Sequence, residues 1–91
     1  METSLFCVCR NKNEDIMKYL IERGTNINKK NKHGETPLFI VCENGHEGMV
    51  KYLIEHGANV NIRNNDHHTA LYYAKINEYD HIVNYLIEHG A

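Results

Sequence analysis

The sequence predicts an all-α solenoid in which three helix-turn-helix units stack side by side and β-hairpin loops project from one edge. The chain aligns with itself without a gap after a shift of 33 residues, so that Thr3, Thr36 and Thr69 fall in register. A constant period of this length is typical of repeat proteins, whose units cannot bury their apolar faces alone. Within each unit, apolar residues recur at helical spacing until a glycine interrupts them.

The repeats occupy approximately residues 1–30, 31–63 and 64–91 of one predicted domain that spans residues 1–91. Ninety-one residues suffice for a single domain and are too few for two. Hydrophobic residues make up 42% of the chain and charged residues 24%. This composition predicts a folded protein with a thin core, because a disordered chain would be less apolar and more highly charged.

The first helix of a repeat is best defined in the middle copy. Thr36 is the predicted N-cap, whose hydroxyl should accept a hydrogen bond from an open backbone N–H, and Pro37 suits the first helical position. Leu38, Val41 and Cys42 then fall at i, i+3 and i+4 and form one apolar stripe. Gly45 should end this short helix.

The second helix of the repeat carries four apolar side chains on one face and an acid, Glu47, in its first turn, where the helix dipole favours a negative charge. Gly57 is expected to end it in the left-handed conformation, as are the equivalent residues Gly24 and Gly90. The polar, turn-rich residues 59–65 then predict a projecting hairpin.

These motifs resemble those of the ankyrin repeat family. The segments 34–38 (Gly-Glu-Thr-Pro-Leu), 45–46 (Gly-His) and 57–61 (Gly-Ala-Asn-Val-Asn) match the family pattern in order and spacing. The resemblance covers residues 3–91. It implies an L-shaped stack of helix pairs with hairpins at one side.

The sequence departs from the family pattern at two kinds of position. His67 occupies the place of Gly34, a turn position at which the family favours positive φ, and we expect strain in that hairpin. Aromatic residues replace the family's histidine after Pro-Leu, so packing must substitute for imidazole hydrogen bonds there. These residues are Phe6, Phe39 and Tyr72.

Composition and charge argue against nucleic-acid binding, membrane insertion and secretion. A net charge of −2 and a pI near 6.4 provide no basic excess for nucleic acid. No apolar run approaches the length of a membrane span or a secretion signal. Three cysteines without framework spacing indicate free thiols in a reducing compartment. We therefore expect an intracellular, most simply cytoplasmic, monomer.

The histidines and cysteines do not predict a metal site or a catalytic site. Seven histidines and three cysteines include no Cys-x-x-Cys and no His-x-x-x-His pair. Cys42 and His46 lie one helical turn apart, but Cys42 belongs to the apolar stripe and should be buried and unactivated. The sequence thus predicts no enzyme activity, no cofactor and no metal.

The resemblance implies a module that binds another protein through its hairpin tips and the first-helix face, which is concave in the family. On this sequence the implied surface comprises Arg10, Asn11, Lys30, Lys32, His33, Glu35, Glu43, Asn44, Arg63, Asn65, Asp66, His68, Ile76 and Asn77. The basic first hairpin favours a partner with an acidic surface. We expect no aromatic cluster on this surface and hence moderate binding.

Other interpretations stay open at the level of sequence. The bare ends of the chain favour a structural spacer or scaffold segment of a longer array, with no ligand of its own. Tyr19, Tyr52 and Tyr85 recur at the repeat period and are more simply packing residues between repeats than a ligand platform. Asn28 and Asn61 match a position that is sometimes hydroxylated in the family, although a structural role in the hairpin is the simpler one.

Overall fold

The computed structural model describes residues 5–91, in which six helices form three successive pairs within a body of 33 × 25 × 21 Å. The helices are α1 (Leu5–Arg10), α2 (Glu14–Glu22), α3 (Pro37–Asn44), α4 (Glu47–Glu55), α5 (Ala70–Ile76) and α6 (Asp80–Glu88). The predicted all-α stack of helix pairs is confirmed. The hairpins are corrected in one respect, because residues 5–91 contain no β-strand and their connecting loops are built from turns.

The first helices of the three pairs form one layer, in which α3 contacts both α1 and α5. Each second helix packs against its own first helix, and α4 also contacts α6. Every residue from Pro37 to Cys42 in α3 is buried, including Phe39 at 3% exposure. The middle repeat is therefore the centre of the core, and the outer repeats cover its two sides.

The start of α3 differs from the prediction. Thr36 is the N-cap, with an extended backbone (φ −99°, ψ 170°), but its buried hydroxyl forms no hydrogen bond with any residue from 5 to 91. The predicted hydroxyl cap is therefore wrong. Instead, the N–H of Phe39, a usual donor to a cap side chain, donates to the Thr36 carbonyl at 3.0 Å.

Side-chain caps occur at two of the second helices, α2 and α4, whereas Tyr79 makes no such bond at the start of α6. The Asn13 side chain accepts a hydrogen bond from the N–H of Ile16 at the start of α2. At the start of α4, Nδ1 of His46 accepts from the N–H of Met49 at 3.4 Å. Both bonds satisfy an amide that a helix end leaves unpaired.

All three second helices end in the same motif, as predicted. Gly57 has φ +102°, its N–H donates to the Ile54 carbonyl, and the N–H of Ala58 donates to the Leu53 carbonyl. This pair of bonds is the Schellman arrangement, which requires a left-handed residue and so favours glycine. The same two bonds form around Gly24 and Gly90.

The projecting loops are closed at their tips by backbone hydrogen bonds. In the first loop, the Asn31 N–H donates to the Glu35 carbonyl at 2.9 Å, and in the second the Asn64 N–H donates to the His68 carbonyl at 2.9 Å. Gly34 and His67 take the same left-handed turn position, with φ of +77° and +67°. The expected positive φ at this histidine is confirmed.

The central position of α4 leads to a stability prediction. Leu53 is completely buried, so Leu53→Ala should lower the free energy of unfolding by about 2–5 kcal/mol in urea titrations, through lost apolar burial and a cavity. Lys32→Ala, at an exposed loop tip, is the control and should leave the urea midpoint almost unchanged. A loss below about 1 kcal/mol for Leu53→Ala would contradict the packing described here.

The two loop tips allow a paired test of backbone strain. His67→Gly should raise the free energy of unfolding, by up to about 1 kcal/mol, because glycine adopts positive φ without steric penalty. Gly34→Ala should lower it, since a Cβ there would lie 2.6 Å from Oδ1 of Asn65 and 3.0 Å from its backbone nitrogen. Thermal melts of the two variants should shift in opposite directions, and a shift in the same direction would refute the strain argument.

Candidate functional site

The residues predicted to bind a partner lie on the loop tips and on the first-helix layer. All are exposed except Glu35, Asn44 and His68, which are half-buried. Arg10, Glu43 and Ile76 occupy equivalent positions on α1, α3 and α5, so the chemistry of this surface changes from basic to acidic to apolar along the stack. We call this set of tips and helix positions the variable surface.

The two loop tips are joined to each other. The backbone N–H of Asn65 donates to the His33 carbonyl at 2.9 Å, and its side-chain amide donates to the Lys32 carbonyl at 2.9 Å. Asn65 therefore bonds with both its backbone and its side chain to the neighbouring tip. These bonds align the two tips into one continuous edge.

Beneath the tips, a buried asparagine fixes the second loop. Asn64 is 5% exposed, and its side-chain amide donates to the Tyr73 hydroxyl at 2.8 Å and to a Glu35 carboxylate oxygen at 3.4 Å. Its carbonyl oxygen accepts the N–H groups of Asp66 and His68. Sequence reasoning missed this residue, although the matching Asn31 makes the same pair of backbone bonds in the first loop.

An aromatic cluster lies on the third repeat, contrary to the expectation from the sequence. The rings of His68 and Tyr72 stack with centroids 3.7 Å apart and an interplanar angle of 9°. Tyr73 meets Tyr72 edge-on at 5.2 Å and Phe39 at 6.0 Å. The sequence had assigned Tyr72 to packing, yet it is 40% exposed.

The spacing of these residues explains why they meet. His68 precedes α5, and Tyr72 and Ile76 follow at intervals of four residues, which places all three on one side of the helix. Ile76 is 56% exposed. This apolar stripe, defined by His68, Tyr72 and Ile76, ends the variable surface at the third repeat.

Two of the three cysteine thiols are buried and are not activated as nucleophiles. Cys9 and Cys42 are completely buried, and burial raises the pKa of each thiol to about 12. His46, the residue that could have activated Cys42, uses Nδ1 to cap α4. The Cys42 thiol therefore stays protonated at neutral pH and does not act as a nucleophile, as the sequence predicted for this residue.

Outside the variable surface, residues 5–91 contain a cleft but no group of side chains that could hold a metal ion. No group of three or more His, Cys, Asp or Glu side chains is arranged to hold a metal ion in this part of the chain. No helix in the same range is long and apolar enough to cross a membrane. A cleft of about 360 Å³ lies at the turns that follow the first helices, between Glu47, Glu78 and Tyr79 among others.

The comparison with protein families decides the identity of the fold. The family model for ankyrin repeats, in three copies, matches residues 3–91. The chain belongs to the ankyrin repeat family. Ankyrin repeats are generally protein–protein interaction modules and are typically non-enzymatic. No curated protein matches the sequence.

The three cysteines of this ankyrin domain differ in their exposure to solvent, and this difference can be tested with a thiol reagent. Cys7 is exposed while Cys9 and Cys42 are buried, so a thiol reagent such as 5,5′-dithiobis(2-nitrobenzoic acid) should modify one thiol in the native protein and all three in denaturant. Cys7→Ser should abolish the fast native reaction. Rapid reaction of all three thiols without denaturant would show that the repeat junctions open readily.

Proposed function

We propose that this ankyrin domain binds a partner protein through the variable surface, with the apolar stripe of the third repeat as its anchor. One observation carries the proposal: exposed Tyr72 and Ile76, with half-buried His68 stacked on Tyr72, form an aromatic and aliphatic stripe beside charged and polar positions. Interfaces obtain most of their binding free energy from such anchors, with polar residues around them.

Rigidity of the surface supports the same function. The tips are aligned by the two hydrogen bonds of Asn65, and the second loop is fixed by Asn64. The stacked rings of His68 and Tyr72 restrict each other's rotation. A partner therefore binds to groups that are already ordered, and less conformational entropy is lost on association.

The charge of the first tip suggests the chemistry of the partner. Lys30 and Lys32 are exposed there, and Arg63 is exposed in the next loop. We propose that these cations face an acidic region of the partner, while an apolar side chain of the partner packs on the stripe. A reducing, intracellular and most simply cytoplasmic location is part of the proposal, supported by three cysteines that are all free.

A quantitative pull-down with two matched triple variants tests this function. The first variant, Lys32→Ala with Glu43→Ala and Ile76→Ala, changes exposed side chains of the variable surface. The control, Asp15→Ala with Glu55→Ala and Asn84→Ala, changes exposed side chains of the second helices. Circular dichroism must first show equal helicity in all three proteins.

We expect a protein that the original domain and the control recover equally from cell lysate and that the first variant recovers at least about 10-fold less, which is the effect of losing an anchor residue. Equal recovery by all three proteins would exclude the variable surface. Recovery of no specific protein would favour the alternative function, a structural spacer within a longer ankyrin array.

A further inference from the structure

A separate candidate site lies at the turns that follow the first helices, where the second and third repeats meet. The cleft there has a volume of about 360 Å³, which is within the range of small-ligand sites. Gly45 and Glu47 line it from the second repeat, and residues 78–82 line it from the third. None of these residues belongs to the variable surface.

One wall of the cleft is an aromatic ring that packs on a glycine. A Cβ at residue 45 would lie only 2.6 Å from Cζ of Tyr79, so the ring packs directly on the Gly45 backbone. Gly45 also has φ +72°, a conformation that favours glycine. Tyr79 is half-buried, and Ile82, which lines the same cleft, is 2% exposed. A ligand in the cleft therefore meets aromatic and apolar surface as well as charged groups.

Three acidic residues line the same cleft. Glu47 is half-buried and forms an ion pair with Lys51 at 3.2 Å. Glu78 and Asp80 are exposed, and neither forms an ion pair with any residue from 5 to 91. Among the lining residues, His81 alone can become positively charged, and it does so only when protonated. The lining is therefore negatively charged when His81 is neutral.

The repeat register shows how the third repeat lost its cation. In α2 and α4 the first acid of the helix pairs with a lysine one turn later, Glu14 with Lys18 at 3.1 Å and Glu47 with Lys51 at 3.2 Å. In α6 the corresponding position is Asn84, so Asp80 has no such lysine. Glu78 adds a further acid where the second repeat has glycine. A cation from outside the chain would supply the charge balance that α2 and α4 obtain internally.

An arginine side chain fits this lining best. Its methylene stem packs on apolar surface, its planar guanidinium group stacks on aromatic rings, and its paired donors match a carboxylate. A lysine ammonium group is a more strongly hydrated point charge and does not stack in this way. A metal ion fits poorly, because residues 5–91 contain no group of three or more ligating side chains arranged to hold one.

We propose that the cleft binds an arginine side chain from a basic segment of a partner protein. The stem packs on Tyr79 and Ile82, and the guanidinium group bonds to the carboxylates of Glu78 and Asp80. This surface goes beyond the function proposed above, because it shares no residue with the variable surface and selects the opposite charge. Both acids are exposed, so one arginine binds weakly, with a Kd on the order of 1 mM, and the site adds affinity to a larger contact.

An NMR titration with a single side chain tests the site without the partner. Isotope-labelled protein is titrated with Nα-acetyl-arginine amide to about 20 mM, and separately with the citrulline analogue, which has a similar shape and no charge, at equal ionic strength. We expect saturable shifts of the amide signals of residues 78–82 with the arginine compound. The citrulline compound should bind at least about 10-fold more weakly, because it cannot form charge-assisted hydrogen bonds.

Two matched double variants locate the binding. Glu78→Gln with Asp80→Asn removes both unpaired charges of the cleft with little change of shape and should weaken arginine binding at least about 5-fold. The control, Asp15→Asn with Glu55→Gln, removes two exposed acids outside the cleft and should leave the Kd unchanged. Circular dichroism must show equal helicity in all three proteins.

The absence of a saturable shift with the arginine compound would overturn the proposal. So would equal binding of the citrulline compound to the original protein, a result that does not depend on any variant. An equal loss in both double variants would show attraction by overall charge and would overturn it as well. Each of these results leaves the pull-down test of the variable surface unaffected, because the two experiments change different residues.

Discussion

Burial between neighbouring repeats is the interaction on which the rest of this structure depends. A pair of short helices covers only part of its own apolar surface, and α3 is fully buried from Pro37 to Cys42 because α1 and α5 both pack on it. The Schellman turns at Gly24, Gly57 and Gly90 give every second helix the same end, so that successive pairs repeat one geometry. The tips and the first-helix surface gain their order from this stack.

Because contacts between repeats hold the stack together, the exposed residues can differ from one repeat to the next. Arg10, Glu43 and Ile76 share one structural position and have three different chemistries, which is how a constant framework presents a specific surface. Asn65 joins the charged first tip to the loop that carries His68, the first residue of the apolar stripe.

The sequence predicted the features that depend on local patterns. The repeat period, the helix ends at glycines and the burial of Cys42 follow from residue type and spacing. The positive φ of His67 was expected from the resemblance to the ankyrin family. The sequence did not predict features that depend on distances across repeats. The Thr36 hydroxyl has no partner among residues 5–91, although its position before Pro37 is typical of an N-cap. The ring cluster at Tyr72 and the bonds of Asn64 and Asn65 join separate motifs. A linear pattern contains no signal for such contacts.

Amide hydrogen exchange, followed residue by residue by NMR, tests most directly whether contacts between repeats hold the fold together. If they do, protection should be greatest in α3 and α4, which have a neighbouring repeat on both sides, and should fall toward the outer helices α1, α2, α5 and α6. Equal protection in all six helices, or greater protection at either end than in the middle, would contradict a structure stabilised by stacking.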